Sequence, residues 1–230
     1  MSIDTILQEQ IDYYRARASE YDQWFLRLGR YDRGEELNRA WFSEVGELRA
    51  WLAQQAPLGD TLELACGTGW WSEQLVQYAS SLTAVDASPE VIELNKQRLQ
   101  REDVRYLQAD LFTWQSDEQY DCIFFSYWLS HVPHERFADF WQRTKRMLKP
   151  NGRIILIDSL RTPLSTAVNH ELQPPEDPIQ VRKLNDGQQF KIIKIYYTPE
   201  ELTARLGELG LRAELQRTKD YFLYGSVFLA

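Results

Sequence analysis

From residue 61 onward, short apolar runs alternate with amphipathic stretches, and this alternation constrains the fold more than any other feature of the chain. The runs at 61–65, 82–86, 104–107, 120–125 and 153–158 read as strands, the last of them wholly apolar apart from its ends. Helical patterns separate them. One is expected over 70–78. Another starts at Ser88, which suits an N-cap, with Pro89 at the first helical position and Val91, Ile92, Leu94 and Leu99 on its apolar side. A third carries Phe137, Phe140, Trp141 and Leu148 on one face until Lys149-Pro150-Asn151-Gly152 breaks it. Apolar strands alternating with amphipathic helices imply a parallel sheet covered on both faces. With 230 residues, one such core fits without splitting.

The flanks add to this core. Leu37, Trp41, Val45, Leu48 and Leu52 recur at spacings of three and four and share one helical face, which ends at Ala56-Pro57-Leu58-Gly59-Asp60. Beyond the fifth strand, 161–178 reads as a loop. Residues 181–184 and 189–195, joined by Asn185-Asp186-Gly187, read as a β-hairpin, because Asp-Gly supplies the positive φ of a tight turn. Thr198-Pro199-Glu200-Glu201 opens the last helix, and strands follow near 211–217 and 221–229.

Charge and composition narrow the partners. A net charge of -8 argues against a broad grip on nucleic acid phosphates. Residues 1–10 lack the basic start and apolar run of a signal peptide, and no stretch approaches the roughly 20 apolar residues needed to cross a bilayer. Cys66 and Cys122 are too few for a disulfide framework and have no metal-ligand spacing. The expectation is a cytoplasmic protein with reduced thiols, no metal, and no nucleic acid or membrane partner. Its oligomeric state is left open.

Four segments gather where a parallel sheet binds ligands, at the carboxyl ends of its strands. Leu62-Glu63-Leu64-Ala65-Cys66-Gly67-Thr68-Gly69 leaves a strand and enters a helix, and Gly67 and Gly69 let the backbone turn and approach a ligand closely. Glycines after a strand also serve plain packing, so the other three segments matter. Asp86 closes the second strand, where an acid can take both ribose hydroxyls. Gln108-Ala109-Asp110-Leu111 follows the third strand, and Tyr120-Asp121-Cys122-Ile123-Phe124-Phe125-Ser126 is the fourth.

In this order the four segments resemble the motifs of the class I S-adenosylmethionine-dependent methyltransferases over roughly residues 10–230. The resemblance implies a Rossmann-like α/β fold: a seven-stranded, mostly parallel sheet with helices on both faces, the last strand antiparallel, and an N-terminal helical lid. It implies one domain over 1–230, with a lid segment at 1–56, a cofactor-binding half at 57–160 and an acceptor side at 161–230. The implied cofactor is S-adenosyl-L-methionine. Glu63 falls at the acidic position of the first motif and Ala65 at its first glycine, with Gly67, Gly69 and Trp71 following. Asp86 and Ala87 fall at the ribose, Asp110 at the adenine amino group with Leu111 beside the ring, and Ser126 at the end of the fourth strand. Tyr13, Tyr21 and Trp24 come from a tyrosine-rich N-terminal segment of the kind that closes over the cofactor.

A nicotinamide site fits less well, since Trp70-Trp71 follow Gly69 and Ser72 stands where a third glycine would. Two bulky rings there would crowd a pyrophosphate yet can pack beside an amino-acid moiety. His131, after the fourth strand, is the candidate general base, because an ordinary pKa of ~6.5 suits proton removal near neutrality; a capping or orienting role is the alternative. His134 and His170 have weaker claims. The reaction implied is methyl transfer to an oxygen, nitrogen or carbon of a small molecule. A binding protein without turnover and a macromolecule-modifying enzyme are the alternatives. The Phe125-Ser126-Tyr127-Trp128 run and the acidic balance favour a small, aromatic or apolar, acceptor.

Overall fold

The five apolar runs are five parallel strands of one sheet in the computed structural model, which describes residues 2–230. These are β1 (Gly59–Leu64), β2 (Ala79–Asp86), β3 (Val104–Gln108), β4 (Tyr120–Ser126) and β5 (Leu148–Ser159). A separate hairpin follows, β6 (Ile179–Lys183) and β7 (Gln189–Ile193), then β8 (Leu211–Arg217) and β9 (Phe222–Leu229). The main sheet has seven strands in the order β3-β2-β1-β4-β5-β9-β8. β9 is antiparallel to both neighbours, and the rest of the sheet is parallel. The strand order reverses between β1 and β4, the switch point at which open α/β sheets hold ligands.

Strand alternation builds two apolar layers. Leu62, Leu64, Ile123, Phe125, Ile154 and Leu156 face one way and pack against α6 (His134–Arg146) and α7 (Pro199–Glu208). Cys122, Phe124, Ile155 and Ile157 face the other way, toward α3 (Glu35–Gln54), whose Trp41, Leu48 and Leu52 are fully buried. The helix starts follow their local chemistry. Ser88 caps α5 (Pro89–Leu99) by accepting from the Val91 amide, and Thr198 and Glu201 form a reciprocal capping box at α7. Two further helices lie at the N-terminus, α1 (Ile3–Ala16) and α2 (Tyr21–Phe25).

Two elements differ from the sequence pattern. The helix expected over 70–78 is the single turn α4 (Ser72–Leu75), because Trp70 and Trp71 still belong to the glycine turn. The fifth strand begins at Leu148, before the Pro150-Asn151-Gly152 run. Its register against β4 shifts between Tyr120 and Cys122, and a side chain at Gly152 would stand 2.8 Å from Leu148. Among the described residues, no helix is long and apolar enough to cross a membrane.

Candidate active site

The carboxyl ends of β1, β2 and β4 and the turn after β3 open into a cleft of about 720 Å³, roofed by α1 and α2. Its floor is the glycine turn. Ala65 and Gly67 both have positive φ, 54° and 53°, so the backbone bends back here and turns its peptides toward the cleft. A side chain at Gly67 would meet nothing nearer than the Tyr21 ring at 4.0 Å, so the space above this residue is open.

Asp86 sits at the centre of the floor. Its carboxylate accepts the Gly67 amide at 2.9 Å and the Ser88 amide at 3.0 Å, one on each oxygen. Those bonds fix the group and leave lone pairs for two vicinal hydroxyls. Burial pushes its pKa up, and the amides of Ser88, Gly67 and Ala87 oppose that shift. Asp110 accepts the Phe112 amide at 2.9 Å on one oxygen only, and Leu111, Phe112, Val91 and Trp128 supply an apolar slot beside it. Two carboxylates with free lone pairs and an apolar slot beside Asp110 are groups that suit hydroxyls, an amine and a flat ring.

A second cavity of about 550 Å³ lies between the N-terminal segment, the hairpin and the turn after β5. Tyr14, Tyr21, Tyr127 and His131 line both spaces and form their common wall. His131 is buried there. Its Nδ1 lies 2.6 Å from the Ile193 carbonyl, which can only accept, so Nδ1 carries the proton. Nε2 therefore holds the lone pair and accepts from the Tyr14 hydroxyl at 2.7 Å. Burial and the cations Lys194, Arg182 and Arg17 hold the imidazole pKa well below 6.5, so the ring is neutral at neutral pH.

Three sets of contacts hold the N-terminal roof down. Gln10 donates to the His131 carbonyl at 3.4 Å and accepts the Ile193 amide at 3.0 Å. Asp22 accepts from Thr68 Oγ1 at 2.6 Å and Trp70 Nε1 at 2.8 Å, and pairs with Arg98. The Trp24 indole donates to the Ser165 carbonyl at 2.7 Å.

Of the residues singled out from sequence, Tyr21, Ala65, Gly67, Asp86, Ala87, Asp110, Leu111, Ser126 and His131 line the cofactor cleft. Tyr13 and Trp24 line the second cavity instead, because α1 and α2 turn those rings toward the hairpin and β5. Glu63, Gly69 and Trp71 stand behind the floor. Glu63 alternates away from the cleft and accepts from Ser72 Oγ at 2.6 Å; burial pushes its pKa to about 8. Gly69 is glycine because a Cβ there would stand 2.8 Å from Asn95 Oδ1. Trp71 packs on Phe124 in the core and Trp70 stacks on Phe25, so neither ring reaches the amino-acid end of a ligand. His134 meets Arg205 on the far side of α6, while His170 lines the second cavity.

Sequence reasoning missed Arg17, Arg182 and Lys194 as site residues; all three line the second cavity. One signal was available. In β6 the polar Gln180 and Arg182 point inward and are buried, while the apolar Val181 between them is 38% exposed. Strand parity that turns charge inward marks a built polar site. Tyrosine and tryptophan rings line that cavity beside these three cations, so its lining is not wholly apolar.

The fold is an open α/β sheet with a cleft at its switch point, and that cleft shares one wall with a second cavity. A family model described as "Methyltransferase domain" matches residues 61–152. The solved DhpI–SAH complex is 33% identical with a TM-score of 0.80, covering 100% of this chain and 99% of that one. The mitochondrial ubiquinone biosynthesis O-methyltransferase of Schizosaccharomyces pombe is 33% identical over 109 residues, 45% of this chain and 39% of that protein. The cypemycin N-terminal methyltransferase of Streptomyces sp is 36% identical over 127 residues, 53% of this chain and 51% of that protein. The match thus spans about half or less of these curated relatives. The chain belongs to the class I S-adenosylmethionine-dependent methyltransferases.

Proposed function

We propose that the protein transfers the methyl group of S-adenosylmethionine to an oxygen, nitrogen or carbon of a small molecule held in the second cavity. The observation that carries this reading is the wall shared by the two spaces, Tyr14, Tyr21, Tyr127 and His131. The cofactor supplies an electrophilic methyl group on a sulfonium. Asp86 would hold the ribose and Asp110 the adenine amino group. The tyrosine faces of the wall favour a cation beside them, and the closed roof keeps out water. What remains for the chain is alignment. Where the nucleophile carries a proton, His131 Nε2 is the nearest acceptor for it, a weak base while burial and the neighbouring cations hold its pKa well below 6.5. It takes the proton directly once the Tyr14 hydroxyl swings away, or through that hydroxyl.

Residues 1–230 act in this reading as a single domain, in the cytoplasm. Segment 10–28 is its lid, released when the Gln10 and Asp22 contacts open so that product can leave. α3 packs as an ordinary layer of the core. Hydrogen exchange is expected to show protection rising across 10–28 when S-adenosylhomocysteine binds. Protection already high and unchanged would make that segment plain core. The transfer itself is tested by incubating protein and S-adenosylmethionine with pools of small acceptors and seeking mass gains of one methyl group. Cofactor binding without any such gain would favour a binding protein.

A further inference from the structure

The second cavity is charged in a way that methyl transfer alone does not require. Arg17 and Arg182 are each 8% exposed, and neither has a carboxylate within ion-pair distance among the described residues. Arg17 lies at the end of α1, with its guanidinium 5.0 Å from the Tyr21 ring centroid and donating to the Tyr31 hydroxyl at 3.2 Å. Its Nε has no partner, nor does the buried Tyr13 hydroxyl beside it. Lys194 donates to Ser130 Oγ at 2.7 Å and has one acid nearby, Asp158 at 3.6 Å. That carboxylate already accepts from Ser130 and Ser159. The lining itself contains no Asp or Glu.

Three buried cations set against one acid are expensive to desolvate, and unpaired donors add to the cost. Their mutual repulsion shows in their neighbours. Burial lowers the Lys194 pKa, Asp158 opposes this, and Arg182 and Arg17 lower it further. The His170 pKa is pushed down to about 3 by burial and by Arg182, Arg30 and Arg17. A fold keeps such an arrangement where a ligand supplies the missing charge.

We propose that the acceptor carries an oxyanion, a carboxylate or a phosphate-type group, seated between Arg17, Arg182 and Lys194 with the Tyr13 and Tyr31 hydroxyls as further donors. This rests on the reading of the second cavity as the acceptor space. It also narrows that reading: the anion anchors the acceptor at the hairpin, and its reactive atom lies toward Tyr14 and His131. The aromatic walls then serve to keep the ion pair dry, where it is strongest. Neutral apolar acceptors lack the group that the cations need.

The test is calorimetry on protein saturated with S-adenosylhomocysteine, titrated with inorganic phosphate or with acetate at constant chloride ionic strength. One of these anions is expected to bind at millimolar concentration. Arg182→Gln is expected to weaken it at least tenfold, the loss of one charge-assisted contact, while S-adenosylhomocysteine binds as before. Arg182→Gln is also expected to melt no lower than the parent without anion, since it removes a buried unpaired charge. Tighter phosphate assigns a phosphate-type acceptor, and tighter acetate a carboxylate. If neither anion binds better than chloride to the parent, or if Arg182→Gln binds it unchanged, the proposal is overturned. Failure of S-adenosylhomocysteine to bind would instead strike the methyltransferase reading. Phosphate and acetate titrated into the unloaded protein would then still decide whether the cavity holds an anion.

Discussion

The two cavities share a wall and were built by different means. The cofactor cleft takes its floor from strand ends that any parallel sheet brings together, and each contribution is a short local segment. The second cavity takes Arg17 from the first helix, His131 from the loop after β4, and Arg182 and Lys194 from the hairpin. In the cleft the charged groups are fixed by backbone amides: Asp86 by Gly67 and Ser88, Asp110 by Phe112. In the second cavity Arg17 and Arg182 are left without counter-charges. One region is a preorganised cradle that the fold supplies; the other is a set of groups held in readiness for a partner.

The contrast gives several expectations, the largest first. Asp86→Ala is expected to weaken S-adenosylhomocysteine binding the most, by about 3 kcal/mol or more, because two charge-assisted hydrogen bonds are lost at roughly 1.5–3 kcal/mol each. Asp110→Ala removes one such bond, so a loss of about tenfold is expected by calorimetry. Equal binding by both variants and the parent would put the nucleoside elsewhere.

Glu63, directly behind the floor, gives a pH dependence. Its folded pKa of about 8 lies above the ordinary 4.5, so the folded state binds the extra proton. Stability is therefore lost as pH rises from about 4.5 toward 8, because the unfolded carboxyl ionises freely and the buried one does not. Glu63→Gln should remove that slope, on the order of 3 kcal/mol between pH 5 and 8.5. Parallel melting profiles for variant and parent would show Glu63 to be charged in the fold.

The paired glycines separate floor from frame. Gly69→Ala places a Cβ 2.8 Å from Asn95 Oδ1, at φ +92. Asn95 cannot retreat, being fully buried and bonded to Ser72 and Tyr106. A stability loss of about 1–3 kcal/mol is expected. Gly67→Ala meets open space at φ +53, so the fold should lose only about 1 kcal/mol, and ligand affinity should carry the larger effect. Denaturant unfolding and calorimetry on the two variants would reverse this assignment if Gly67→Ala proved the less stable. Smallest is Tyr14→Phe, which removes one hydrogen bond to His131 and should cost about 1 kcal/mol in thermal stability.

Much of the fold was legible because its signals are local. Short, uniformly apolar runs such as 122–125 between turn signals read as strands buried on both faces, Ser88-Pro89 and Thr198-Pro199 mark helix starts, and Asp186-Gly187 marks the hairpin turn. The cleft was legible for the same reason. What escaped was facing. Glu63 and Trp71 lie in the right motif but turn their side chains into the core, since neighbouring residues on a strand or tight turn point in opposite directions. The second cavity was illegible as a site because its cations are far apart in sequence; only the inverted parity of β6 betrayed one of them.

The most direct test of this arrangement is a crystal structure of the protein with S-adenosylhomocysteine. The ribose hydroxyls are expected on Asp86, the adenine amino group on Asp110, and the sulfur facing the wall of Tyr14, Tyr21, Tyr127 and His131. A sulfur pointed away from that wall, or a nucleoside seated among Arg17, Arg182 and Lys194, would contradict it.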